Sequence, residues 1–340
     1  MTRRPWRWML LAGLITAFAL GCGEGDKRPA RDTRGVRLAA VIKGLENPYF
    51  VTMRDGLVAT ARRHEAPLRL AASPAGLQGT AGQASDLENL AEDRADCYVV
   101  NPISQTNLVR SLAKIPDGTP IVNVDSLVDK AAAQAAGVKI SSYIGTDNVA
   151  GGALAADAMA GLVGRGARVA VIAGIPGDSS SGDRTQGFRQ GAHGRFDVIE
   201  TVAADFEREK ARLAAEEMLR AHPDVDGFFA VNDLMALGVA DAARAAGRQG
   251  RVAVVGFDGI PEALAAVKRG ALSATVAQYP YSMGQLGIEA CLAAVGGKPL
   301  PANVDAPVQV VTKRNVARAQ ANFPQPVEHF DSAFRALLKR

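Results

Sequence analysis

Aromatic residues are scarce in this chain, 5% of 340 residues, while glycine and alanine are plentiful. Small side chains let backbones approach closely, which suits tightly packed α/β layers. Cysteine is limited to Cys22, Cys97 and Cys291, none in a CxxC or Cys/His spacing, which argues against a zinc site. Histidine is limited to His64, His193, His222 and His329. None stands beside a nucleophile motif, and His222, just before Pro223, reads as a helix C-terminal cation. Ser179-Ser180-Ser181 lacks a nucleophile-elbow context. Gly161–Gly166 and Gly174–Gly177 give no G-x-G-x-x-G directly after a strand, and the second has Pro176 in its turn, so both read as turn chemistry. An enzyme is therefore not expected, and no cofactor or metal is called for. A basic stripe is also missing. The net charge of +4 falls to +1 once Arg3, Arg4 and Arg7 are set aside, so nucleic acid is not an expected partner. No short exact repeat or low-complexity tract appears.

Those three arginines open a segment with the features of an export signal. They form a positive n-region, and Trp8–Leu20 is an apolar h-region too short to span a bilayer comfortably. Ala19-Leu20-Gly21-Cys22 resembles the lipobox of bacterial lipoproteins, with Gly21 typical and Ala19 standing where Leu is usual. Residues 1–21 are thus expected to be a signal peptide and Cys22 a lipidated residue, anchoring an exported protein to a membrane. The polar stretch that follows, within 22–35, reads as a flexible tether.

From Val36 onward, strand and helix alternate in units of about 25–35 residues, the signature of βαβ repeats and a parallel sheet. Expected strands are Arg37–Ile42, Leu68–Ala72, Cys97–Val100, Ile121–Val124 and Ser142–Gly145. After Gly151 the pattern restarts with Arg168–Ala173, Val198–Val202, Gly227–Val231 and Val252–Phe257. Ala274–Ala277, a helix near Ser282–Val295 and an extended Val308–Thr312 follow. This predicts an α/β protein of two similar doubly wound lobes. Cys97 and Cys291 read as buried small apolar residues, with a disulfide between them left open. The stretch Ala230–Gly238 illustrates the design: an apolar strand ends, Asn232-Asp233 breaks it, and a helix begins with Asp233 as the expected N-cap. Asn232 then points from the strand end, where open α/β sheets bind ligands.

Other chemistry-bearing residues share that position. Lys43, Asn47, Tyr49 and Phe50 follow the first strand, Asp125 and Ser126 the fourth; Arg184, Asp258 and Gln278 follow strands of the second half. Carboxylate, amide and guanidinium groups can hold vicinal hydroxyls in paired geometry, and an aromatic plane can pack on a sugar's C–H face.

Val41–Phe50, Ile144–Asn148, Ala204-Asp205-Phe206, Asn232–Gly238, Val255–Glu262 and Ala274–Gln278 together resemble the periplasmic sugar-binding proteins of ABC transporters, in register from about Val36 to Thr312. Ribose- and allose-binding members are the most similar. The resemblance implies the type I periplasmic binding protein fold, with lobes at 36–146 plus 279–306 and at 147–278 plus 307–318. A hinge of three crossovers would lie near Thr146-Asp147, Gln278-Tyr279 and Asp305–Val308, and 319–340 would be a tail. It assigns ring stacking to Phe50 and Phe206 with Tyr49 beside them. Hydroxyl recognition falls to Asn47, Asp125, Arg184, Asn232, Asp258 and Gln278. Lys43 matches the allose-binding protein, where ribose binders carry a small hydroxyl residue. Ser126 departs from both, which have Arg or Glu here, and shortens one polar contact. The implied function is capture of an aldohexose such as allose, or alternatively a pentose such as ribose or a sugar alcohol, for an ABC permease. A chemoreceptor or sensor kinase is the alternative receiver, and a monomer is expected. A sugar-responsive repressor is excluded, because an export signal occupies the place of its helix-turn-helix. In the tail, Phe323–Pro326 reads as a linker, and Phe334, Leu337 and Leu338 as a short amphipathic helix.

Overall fold

The computed structural model describes residues 35–74 and 76–338; the signal segment 1–21, Cys22 and the tether up to residue 34 lie outside the described residues. The first lobe is built from β1 (Leu38–Lys43), α1 (Pro48–Arg63), β2 (Leu68–Ser73), α2 (Thr80–Glu92), β3 (Cys97–Val100), α3 (Val109–Leu112), β4 (Ile121–Val124), α4 (Lys130–Ala135) and β5 (Ser142–Gly145). The second contains α5 (Asn148–Ala160), β6 (Arg168–Ala173), α6 (Ser179–Ala192), β7 (Asp197–Ala203), α7 (Arg208–Ala221), β8 (Gly227–Ala230), α8 (Asp233–Ala245), β9 (Ala253–Asp258), α9 (Pro261–Arg269) and β10 (Ala274–Gln278). The chain then returns to the first lobe with α10 (Pro280–Val295) and β11 (Asn303–Asp305). It ends with β12 (Val308–Thr312), α11 (Val316–Asn322) and α12 (Arg335–Leu338).

Two six-stranded sheets result. Their orders are β2-β1-β3-β4-β5-β11 and β7-β6-β8-β9-β10-β12. Every pairing is parallel except β10 with β12. Strands covered by helices on both faces need apolar side chains in both directions, so runs such as Phe228-Phe229-Ala230 are wholly buried. β7 is an edge strand, and its residues are accordingly part-exposed throughout. The expected strands agree with these to within one residue at either end. β11, three residues with only Val304 buried, has no apolar run to announce it.

Helices start on Asx caps. Side chains of Asn47, Asp129, Asp147, Asp178 and Asn232 each accept a bond from a backbone N–H two or three residues on. One expectation is corrected here. Asn232, not Asp233, caps α8; Asp233 is the first helical residue and is fully buried. Its carboxylate instead accepts from Gly259 N (2.7 Å), Ile260 N (3.0 Å) and Thr275 Oγ1 (2.7 Å), fixing the turn between β9 and α9. Two further readings are resolved. Cys97 and Cys291 form a disulfide joining β3 to α10. In the tail, the expected short helix is α12 (Arg335–Leu338), beginning one residue after Phe334, and Val327 and Phe334 are buried against the body of the protein.

α5 and α6 pack so closely that a Cβ at Gly152 would overlap the Arg184 carbonyl oxygen. Gly152→Ala should therefore destabilise by about 1–3 kcal/mol through forced separation of the helices, despite alanine's better helix propensity. Urea denaturation would check this, and a neutral or stabilising result would contradict it.

Candidate functional site

The C-terminal ends of both sheets open on one cavity of about 490 Å³. Lys43, Asn47, Tyr49, Phe50, Asp125, Ser126, Arg184, Phe206, Asn232, Asp258 and Gln278 all line it. That volume lies in the range of small-molecule sites.

From the first lobe, Asn47 caps α1 and Pro48 occupies its first turn, so that Tyr49 and Phe50 turn back toward the strand ends. Their rings meet edge to face, with centroids 5.1 Å apart. Tyr49 Oη donates to Asp125 Oδ1 at 2.9 Å. Burial, reinforced by the Asp125 and Asp258 charges, pushes the Tyr49 phenol well above its usual range, so it stays a hydrogen-bond donor. Lys43 Nζ donates to Ser126 Oγ at 2.6 Å and lies 5.5 Å from the centre of the Phe50 ring. Ser126 Oγ in turn reaches Asp125 Oδ2 at 3.3 Å. The serine thus bridges an ammonium and a carboxylate.

The second lobe supplies the deepest charges. Arg184 projects from α6 and is buried; its Nε donates to Asn148 Oδ1 and its Nη1 to Val231 O, both at 2.8 Å. The guanidinium lies 4.0 Å from the centre of the Phe257 ring, and Nη1 is 3.6 Å from Asp258 Oδ1. Asp258 also accepts from Gln278 Nε2 at 2.8 Å, while Gln278 Oε1 accepts from Thr146 Oγ1 at 2.6 Å. Burial pushes the Asp258 carboxyl up to about 6, against the pull of Arg184 and the Gln278 bond; the Asp125 charge adds to the rise. Asn232 spends its Oδ1 on Met235 N at 2.9 Å, so its amide is the part left for an occupant of the cavity.

Backbone strain collects at the same place. Asp125, Phe206 and Asp258 have φ values of 60°, 64° and 125°, where non-glycine residues are disfavoured. Phe206 further depends on Gly174: a Cβ there would strike its ring. Sequence reasoning missed the supports of the site. Thr146 and Asn148 hold Gln278 and Arg184, and Tyr143 Oη donates to the Asp125 carbonyl at 2.7 Å. In the sequence, Thr146 and Asn148 stand out only within the Ile144–Asn148 motif and the expected first crossover; no local signal links them to partners more than thirty residues away.

The cavity is lined by planar hydrogen-bonding groups, one lysine, the hydroxyls of Ser126 and Ser180, and aromatic and aliphatic faces; no histidine or cysteine is among its described lining residues. Residues 38–299 match the family model described as the periplasmic binding protein domain. The chain belongs to the periplasmic binding protein family. Members of this family bind solutes and are not enzymes, and the two parallel-sheet lobes are their fold. The ribose import binding protein of Salmonella typhimurium is 34% identical over 308 residues, covering 89% of this chain and 98% of that protein. The D-allose-binding periplasmic protein of Escherichia coli is 34% identical over 271 residues, 77% of this chain and 86% of that one. Among solved structures, an ABC transporter periplasmic solute binding protein from Actinobacillus succinogenes with bound D-allose superimposes with a TM-score of 0.77 at 31% identity. That match covers 83% of this chain and 99% of the other. This periplasmic binding protein therefore shares its architecture with proteins whose ligands are small sugars.

Proposed function

We propose that this periplasmic binding protein captures a monosaccharide between its lobes and delivers it to the permease of an ABC transporter. An aldohexose such as allose is the favoured ligand. The observation that carries the reading is the convergence of Asp125, Arg184, Asn232, Asp258 and Gln278, with Phe50 and Phe206, on one cavity lined by both lobes. Each buried hydroxyl of a sugar must find a partner there. An epimer that leaves Arg184 or Asp258 unmatched loses the bond and strands the charged group, which is a physical route to stereochemical selectivity. Lys43, held toward Ser126, offers its remaining donors at one end of the cavity and is the proposed selectivity residue. The moving bodies are taken as 36–146 with 279–306 and 147–278 with 307–318. A sugar touching both stabilises the closed form by its differential contacts. Cys22 is proposed as the lipid anchor.

A thermal-shift screen against D-allose, D-ribose, other aldohexoses and aldopentoses, ketohexoses and sugar alcohols tests the reading. A ligand at a hundred times its dissociation constant should stabilise the protein by about 2.7 kcal/mol. A hit on allose or another aldohexose supports the Lys43 assignment, a hit confined to pentoses overturns it, and silence across the panel counts against sugar capture.

Affinity should also depend on pH through Asp258. If its carboxylate accepts a sugar hydroxyl, the ligand favours the ionised form. With the carboxyl of the empty protein titrating near 6, affinity should drop roughly tenfold between pH 7 and pH 5. The sign for the empty fold is opposite. A carboxyl raised by folding stabilises below its ordinary value of 3.8, and that contribution is lost as pH rises through about 6. Calorimetry of Asp258→Asn should show weaker binding, by about 1.5–3 kcal/mol, with a flat profile between those pH values. A wild-type profile that is already flat would remove Asp258 from the binding role.

A further inference from the structure

Beyond the three crossovers, the chain passes between the lobes once more. α11 packs on α9 and β12 of the second lobe, whereas α12, after residues 323–334, packs on α10 of the first. The intervening stretch is docked at its two ends, with Phe330 partly buried between them. Asn322 Nδ2 donates to the carbonyls of Pro326 and Val327 at 3.3 and 3.2 Å, closing the turn that leaves α11. Val327 N donates to Tyr279 Oη at 3.4 Å, and the same hydroxyl reaches Gln309 Oε1 at 3.2 Å. Tyr279 sits on the second crossover and Gln309 lies just past the third. At the far end Ser332 Oγ bonds the buried Glu289 carboxylate of α10, and Phe334 is fully buried. Phe323, Pro324 and Gln325 border one small cavity with Asp258, Gln278 and Tyr279, so the segment lies directly behind two residues of the ligand site.

We propose that residues 316–338 form a strap across the back of the hinge, which sets the angle between the lobes and thereby the fraction of the protein competent to bind. The functional meaning rests on the closure reading above, but the mechanical claim does not. The strap's contacts are made at the angle at which both lobes line one cavity. Undocking it removes a bias toward that angle, and apparent affinity falls in proportion to the competent fraction. Its key is Tyr279, which the strap grips through a backbone N–H while the adjacent Gln278 holds Asp258.

Hydrogen exchange on the unliganded protein tests this without any sugar. Two variants are compared with the natural chain: a truncation after Asn322, and the gentler Ser332→Ala/Phe334→Leu double substitution, which keeps the chain length. In both, amides at the crossovers (146–148, 279, 281–283, 306 and 308) should exchange at least tenfold faster, while those of the central strands β1 and β6 keep their protection. Fast exchange of the tail with unchanged crossovers overturns the proposal. An equal acceleration of crossovers and central strands overturns it too, because the tail would then be a general stabilising patch. Should the truncated chain fail to fold, the double variant decides by the same criteria.

Discussion

Replacing Arg184 by methionine is expected to cost about 3–5 kcal/mol of folding stability near pH 8, and distinctly less near pH 5. Methionine fills much of the volume but supplies no donor. Val231 O and Asn148 Oδ1 lose their bonds, Phe257 loses the guanidinium over its ring, and Asp258 is left as a buried carboxylate without a cation. The unpaired charge is the costly part. Arg184 is the first of the influences that hold Asp258 down against burial, so in the variant the carboxyl rises further and takes up a proton under mildly acid conditions. A neutral carboxyl needs no cation, which is why the deficit should shrink on acidification. Urea denaturation at the two pH values, with Arg184→Met/Asp258→Asn as a second variant, separates charge from packing. The double variant should recover part of the loss at the higher pH. A deficit equal at both pH values, unaffected by the second substitution, would show that Arg184 acts only as filler.

The same residue shows what was legible in the sequence. Its position after a strand of the second half marks Arg184 for a polar role, and the apolar runs locate the strands themselves to within a residue. Strands buried on both faces must be continuous apolar runs, and the helix that follows each needs a cap, so the site-bearing junctions announce themselves. The mutual arrangement did not. That Arg184 is seated by Asn148 and Val231 depends on the approach of α6 to α5 and β8, which no local pattern encodes. Asn232-Asp233 shows the limit at single-residue scale. Either residue type can cap a helix, and the choice was made by Thr275 and the Gly259-Ile260 turn, which take the Asp233 carboxylate inward. The edge strand Asn303–Asp305 escaped because it has one buried side chain. In the tail, Phe323–Pro326 has the composition of a linker and Phe334, Leu337 and Leu338 the spacing of a short helix, but no periodic pattern announces the burial of Val327 between them.

Breaking the Cys97–Cys291 bridge is expected to cost about 2–5 kcal/mol and to lower the melting temperature by roughly 5–10 °C. The two cysteines were visible in the sequence, but their pairing across 194 residues was not. Between them the chain runs through β4 and β5 and through all of the second sheet but β12 before α10 returns to β3. Closing a loop of that size removes much freedom from the unfolded chain, which places the effect toward the upper end of the range for natural disulfides. Both cysteines are fully buried, so reductant acts only as the lobe opens, and melting should be followed after equilibration with dithiothreitol. The control is Cys97→Ala/Cys291→Ala. It includes a packing loss of its own, but its melting temperature should not respond to reductant, whereas the natural chain's should fall. An equal response in both proteins, or none in either, would remove the bridge from the account of stability. The bridge also has a place in the hinge. α10 begins immediately after Gln278-Tyr279, and the disulfide pins its body to a central strand of the first lobe. The disulfide is therefore expected to limit movement of the α10 body at that crossover, close to where Gln278 donates to Asp258 and Tyr279 accepts from the strap.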